Sequence, residues 1–193
     1  MIEKNLENLA YSFFPKGVCF ITRREEYLNS LEFKKLDEIT NFYYKNTNNY
    51  SYENLIFGFK SNNYLKAFKD VSMLNWHDRC FSFELDFNDG ENLHLICLNI
   101  SVLIPFYNIR VLENKINKKS FQWKTNLVRN KKLETEKYKE LVAQIEVIVE
   151  NTLNYKKFPE NILNIVIEDI SFQDIKFGEF NFFNAFFLND CKL

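Results

Sequence analysis

The hydrophobic period changes sharply at Cys80, and this change narrows the folds open to the chain more than any other feature. Phe81, Phe83, Leu85 and Phe87 alternate with Ser82, Glu84 and Asp86, the period of a strand with one buried face. NDGE then supplies turn residues and LHLICLNISVLI begins a second strand, so a β-hairpin is predicted. If Asp89 and Gly90 form a two-residue type I′ loop, counting outward pairs Phe83 with Ile96, Phe81 with Leu98 and Leu85 with His94. One sheet face is then core throughout. The other pairs Asp86 with Leu93, Glu84 with Leu95, Ser82 with Cys97 and Cys80 with Asn99; it is mixed and is expected to be covered only in part.

Around this hairpin the period is helical. Ile2, Leu6, Leu9 and Phe13 share one face of a helix over Ile2–Phe13 that Pro15 and Gly17 stop. Thr22 followed by Glu25 has the spacing of a capping box, so a second helix is predicted over Arg23–Tyr44. Its inner face carries Leu28, Leu31, Leu36, Ile39 and Tyr43, and its outer face is acidic at Glu25, Glu26, Glu32, Asp37 and Glu38. KNTNNYS reads as a loop, followed by helices over Tyr52–Phe59 and Asn63–Asn75, the latter with Tyr64, Phe68, Val71 and Leu74 on one side. Pro105 interrupts the second strand, and Phe106–Leu112 continues extended. From Lys115 to Lys132 the chain is basic and irregular, with room for a short strand near Phe121 and Trp123. The strongest helical stripe follows over Lys132–Asn154, at Tyr138, Leu141, Val142, Ile145, Ile148 and Val149. Beyond Pro159, Ile162–Ile167 and the doubly apolar Phe180–Leu188 read as strands, the last an interior one. The expected fold is α+β in a single domain, 1–193: N-terminal helices on a mainly antiparallel sheet, with one long amphipathic helix between the third and fourth extended segments.

With 46% hydrophobic residues among 193, the chain has the apolar surface a core requires, which excludes a disordered or linker-like protein. No run approaches about 18 apolar residues, and the start of the chain lacks the basic and apolar regions of a secretory signal, so a cytoplasmic, membrane-free protein is expected. Cys19, Cys80, Cys97 and Cys191 form no C-x-x-C pair and have no histidine at ligand spacing; they read as free thiols, and no metal or cofactor is predicted.

Catalytic signatures are missing in the same way: there is no P-loop, no H-E-x-x-H and no serine hydrolase motif. Trp76-His77-Asp78-Arg79 is the densest polar cluster, and it reads as a loop with a turn-forming Asp78 and a surface Arg79. His94 reads as a half-buried packing residue at the margin of the core. Glu84 and Asp86 lie about 7 Å apart on one strand face, which leaves an enzyme using that pair with His77 or His94 as a third-ranked reading. Cys97 and His94 fall on opposite faces of one strand and cannot act together.

Charge is segregated beneath a net value of -1. Arg110–Lys139 holds ten basic residues against three acids, whereas Phe158–Leu193 holds six acids against two bases. Lys118, Lys119, Phe121, Trp123, Lys124 and Arg129 interleave positive charge with rings, a pattern suited to an acidic protein or to stacked nucleotides. Glu32, Asp37 and Glu38 on the second helix offer a further partner surface.

The FFPKGV element, the run LNISVLIPFYNIRVL and the terminal FNFFNAFFLND are similar to those of small cytoplasmic bacterial proteins encoded beside secreted polymorphic or contact-dependent toxins. That resemblance is to immunity proteins, and it implies tight binding of a cognate toxin domain. Immunity proteins that mask nucleases are often acidic, whereas this chain is nearly neutral, which leaves the type of toxin open. The leading expectation is therefore a non-enzymatic protein-binding module of the immunity type. A nucleic-acid-associated protein using residues 115–132 is the alternative.

Overall fold

In a computed structural model, described over residues 2–46, 50–88, 93–117, 122–127 and 136–189, the alternating segment forms β2 (Cys80–Asn88). It pairs with β3 (Leu93–Ser101), which pairs with β4 (Phe106–Asn117) and that in turn with β5 (Gln122–Leu127), all antiparallel. A short β1 (Lys69–Asp70) lies along the outer edge of β2, and β6 (Lys156–Lys157) runs parallel to the start of β4. Helices with a mostly antiparallel sheet make the fold α+β, as expected. The long helix lies where the sequence places it but follows β5, because the basic segment contributes a full strand to the meander.

The hairpin register differs from the counted one. Phe83 pairs with Leu98 and Leu85 with Ile96, and the pairing runs to Asn88 with Leu93. The predicted two-residue loop at Asp89-Gly90 lies outside the described residues. Because side chains alternate with a period of two, a slip by two residues leaves every side chain on its predicted face. Phe81, Phe83, Leu85, Ile96, Leu98 and Ile100 are buried together. They are covered by α4 (Tyr50–Ser61), through Leu55 and Phe59, and by α5 (Glu136–Leu153), through Leu141, Ile145 and Val149. The stripe read from the sequence is thus the buried face of α5; the predicted start at Lys132 is outside the described residues.

Local hydrogen bonds override the pattern read from the sequence at three places. The helix predicted over Arg23–Tyr44 is two, α2 (Arg24–Asn29) and α3 (Leu31–Lys45). Between them Ser30 is extended and its hydroxyl accepts from the Phe33 N–H at 3.1 Å, the preferred geometry of a serine N-cap. The Thr22–Glu25 capping box is not formed; Arg23 occupies the N-cap without a side-chain cap and pairs with Glu26. The break turns Leu31 outward, 82% exposed, where an inward position was predicted.

Asn63–Asn75 does not form a helix. Turns lead to β1, then Asp70 accepts from both the backbone N–H and the hydroxyl of Ser72, at 2.9 and 2.6 Å. Such side-chain bonds compete directly with the helical ladder. At the other end of the chain, the predicted interior strand over Phe180–Leu188 contains α6 (Phe182–Phe186). Asn181 and Asn184 cap it reciprocally, each amide oxygen accepting from the other's backbone N–H at 2.9 and 3.0 Å. Ile162–Ile167 is a run of turns with one isolated bridge, Val166 to Asn181, instead of a strand.

α6 lies in a second buried cluster with Leu6 and Ala10 of α1 (Ile2–Ala10), Phe14, Tyr27, Phe33, Leu36, Phe158, Phe172 and Phe180. Ile39 and Leu103 pack against both clusters.

Candidate functional site

The Trp76–Arg79 cluster stands at the entry to β2, where the two cores approach one another. Leu74–Trp76 forms a single 3-10 turn whose anchor, Leu74, is buried. His77 follows with φ 64°, a left-handed conformation that costs a residue with a Cβ about 1 kcal/mol or more. Gln173 adopts the same region at φ 53°. Two such residues are held together by side-chain hydrogen bonds that start from Arg79.

Arg79 is fully buried, which corrects its reading as a surface residue. One guanidinium nitrogen donates to the His77 carbonyl at 2.8 Å and another to the Asn189 side-chain oxygen at 2.8 Å. The Asn189 amide donates to the Gln173 side-chain oxygen, and the Gln173 amide donates to the Trp76 carbonyl at 3.2 Å. The circuit closes on two successive carbonyls of one turn. The guanidinium lies 5.2 Å from the centroid of Phe172, a cation–π contact strengthened by loss of water. Burial pushes the Arg79 pKa down to about 10, and the Asp78 carboxyl beside it is pushed up by its own partial burial against the pull of Arg79 and His77.

The His77 ring contacts Phe33 at 5.4 Å and Phe172 at 6.4 Å, and its Nε2 is 3.0 Å from Asp37 Oδ1 on α3. Asp37, predicted as a partner-binding acid, is thus half committed to the turn. Glu38 beside it is exposed and Glu32 is half-buried. The result is a turn fixed from beneath by a buried arginine and from the side by α3. What it presents is Trp76, 70% exposed, with Met73 57% exposed one turn earlier. Trp76 was not singled out for binding in the sequence; its neighbour Arg79, which holds it, carries no local sign of being buried.

Of the basic candidates, Lys118, Lys119, Phe121 and Arg129 lie outside the described residues. Trp123 and Lys124 fall in β5, with backbone partners Ile116 and Lys115 on β4. The catalytic alternative is not assembled. Glu84 and Asp86 share a sheet face, but Asp86 pairs with Lys69 at 3.0 Å. His94 is on the opposite face, buried, and His77 is engaged by Asp37. Among the described residues no group of three or more His, Cys, Asp or Glu is placed to hold a metal ion.

The thiols divide by environment. Burial drives Cys80 up to about 12, whereas a hydrogen bond with Thr22 draws the half-exposed Cys19 down to about 7. Among the described residues no helix is long and apolar enough to cross a membrane. Comparison of the chain with protein-family models, with curated proteins and with solved structures gives no match.

Proposed function

We propose that this is a cytoplasmic, non-enzymatic protein-binding module that neutralises a cognate bacterial toxin domain, with Trp76 as the central anchor. What supports this reading is the mounting of Trp76: an exposed indole on a turn already ordered by the circuit through Arg79, Asn189 and Gln173. Tryptophan is enriched among the residues that dominate interface energies, and an anchor ordered in advance gives up little entropy on binding. The half-exposed Asp37, beside His77, brings negative charge to the turn that carries the anchor, which suits a toxin surface that is basic where it docks.

Co-expression with the toxin domain of a neighbouring gene tests this. Growth is rescued by the wild-type protein, and Trp76→Ala weakens the complex by about 2 kcal/mol or more with unchanged thermal stability, read by calorimetry. Unrelieved toxicity despite soluble expression overturns the proposal. A second reading, nucleic-acid binding through residues 115–132, draws on the pairing of Lys115 directly opposite Lys124. It requires affinity for RNA or DNA that falls steeply with salt and is lost on neutralising Lys118, Lys119, Lys131 and Lys132.

A further inference from the structure

Away from Trp76, a cleft of about 450 Å³ opens between the end of α3, the start of α4, the Ile100–Val102 end of β3 and the end of α5. Its size lies in the range of small-molecule sites. The walls are aromatic: Phe81 at the base is met by Tyr52 at 4.8 Å between ring centroids and by Tyr43 at 5.9 Å, nearly perpendicular, and Phe42 stands against Tyr43. Such faces receive a flat ring by stacking or edge contact.

The polar groups set the rest of the chemistry. No lining residue among those described is charged, so an ionic ligand would surrender its hydration without a partner. What the cleft offers is hydroxyl groups. Ser101 pairs with Cys80 on the sheet face opposite Phe81 and Ile100, and its buried hydroxyl is engaged there, accepting from the Leu103 and Ile104 N–H groups at 3.2 and 3.3 Å. Tyr43 and Tyr155 also line the cleft and make no hydrogen bond among the described residues. Burial, with Tyr43 nearby, raises the Tyr155 pKa above that of a free phenol, so it remains a donor. We propose that this cleft binds a neutral, planar aromatic molecule bearing a hydrogen-bond acceptor such as a carbonyl, with the rings of Tyr43, Tyr52 and Phe81 as walls and the hydroxyl of Tyr155 as the donor.

This proposal does not rest on the toxin-binding reading. Its test uses prodan, a neutral naphthyl ketone, with the anionic anilinonaphthalene sulfonate as comparison, added to the whole protein and followed by fluorescence. Prodan is expected to bind saturably at one site with blue-shifted emission and little dependence on salt. Tyr155→Phe weakens it about threefold to tenfold, the loss of one hydrogen bond. Ser51→Trp, at an exposed position on the rim, closes the cleft and abolishes binding, whereas Leu31→Trp on another surface leaves it unchanged. Absence of saturable prodan binding, equal or tighter binding of the sulfonate, or an unaltered affinity in Tyr155→Phe would overturn the proposal, and that last readout stands even if Ser51→Trp fails to fold.

Discussion

At the scale of single residues, the decisive one is Arg79. Its charge is held where water does not reach, by two carbonyl or amide oxygens and an aromatic face. Breaking such an arrangement leaves the His77 carbonyl and the Asn189 side chain short of a donor, so Arg79→Met is expected to destabilise the protein by about 3 kcal/mol. Arg79→Lys recovers only part of that, because an ammonium cannot span both acceptors in the guanidinium's plane. Urea denaturation measures both. Cys80, the next residue, makes a prediction of sign. Burial pushes its folded pKa up to about 12, above the ordinary thiol value of 9.0. Above pH 9 the unfolded chain releases a proton that the folded chain keeps, so this contribution is fully present below pH 9 and is lost as pH rises toward 12. Stability should therefore fall with pH above 9, and fall less steeply in Cys80→Ala; an equal slope in both proteins would remove the thiol from the account. The burial of Cys80 agrees with its reading as a buried or half-buried thiol, whereas that of Arg79 is not legible locally, because its partners lie as far as 110 positions away.

At the scale of elements, the division between α2 and α3 rests on one hydroxyl. In a continuous helix, Ser30→Ala would stabilise the protein through the better helix former; with Ser30 as the N-cap it destabilises by about 1 kcal/mol. The sign of the change in the urea midpoint decides. The α4–α5 contact gives a second case of opposed effects. A Cβ on Gly58 would stand 2.9 Å from Ile148 Cγ2, an overlap that costs about 1–3 kcal/mol, against about 1 kcal/mol gained from replacing a helical glycine. Gly58→Ala is therefore expected to destabilise the wild type and to stabilise an Ile148→Ala background. Elements with a clear period, β2, β3 and α5, were readable in advance for this reason: their buried face is written into the spacing of their own residues. The segment FNFFNAFFL has no polar face, so spacing could not separate helix from strand; the Asn181–Asn184 cap and burial of the whole of α6 made the choice.

At the scale of the molecule, two buried clusters meet through Ile39 and Leu103 and through the backbone of Arg79, whose N–H donates to Phe187 at 2.9 Å and whose carbonyl accepts from Val102 at 2.9 Å. These links predict shared stability. Phe186→Ala, in the cluster away from the sheet hairpin, should cost about 3–5 kcal/mol and lower amide protection in β3 by the same amount. If hydrogen exchange shows the loss only around α6, the clusters unfold as separate units. The same architecture bears on binding. Trp76 and the aromatic cleft share the framework of α3, which runs from Asp37 beside His77 to Phe42 and Tyr43 at the cleft.

The sequence by itself determined the faces: which side of β2 and β3 is core, which stripe of α5 is buried, and that helices and an antiparallel hairpin combine as α+β. It could do so because period and solvent contrast are properties of neighbouring residues. Only the tertiary structure decided that Arg79 is buried, that FNFFNAFFL contains a helix, and that the Trp76 indole is left in solvent. Each of those depends on atoms brought from remote segments to satisfy a polar group or cover an apolar one, and that supply is a property of the folded whole.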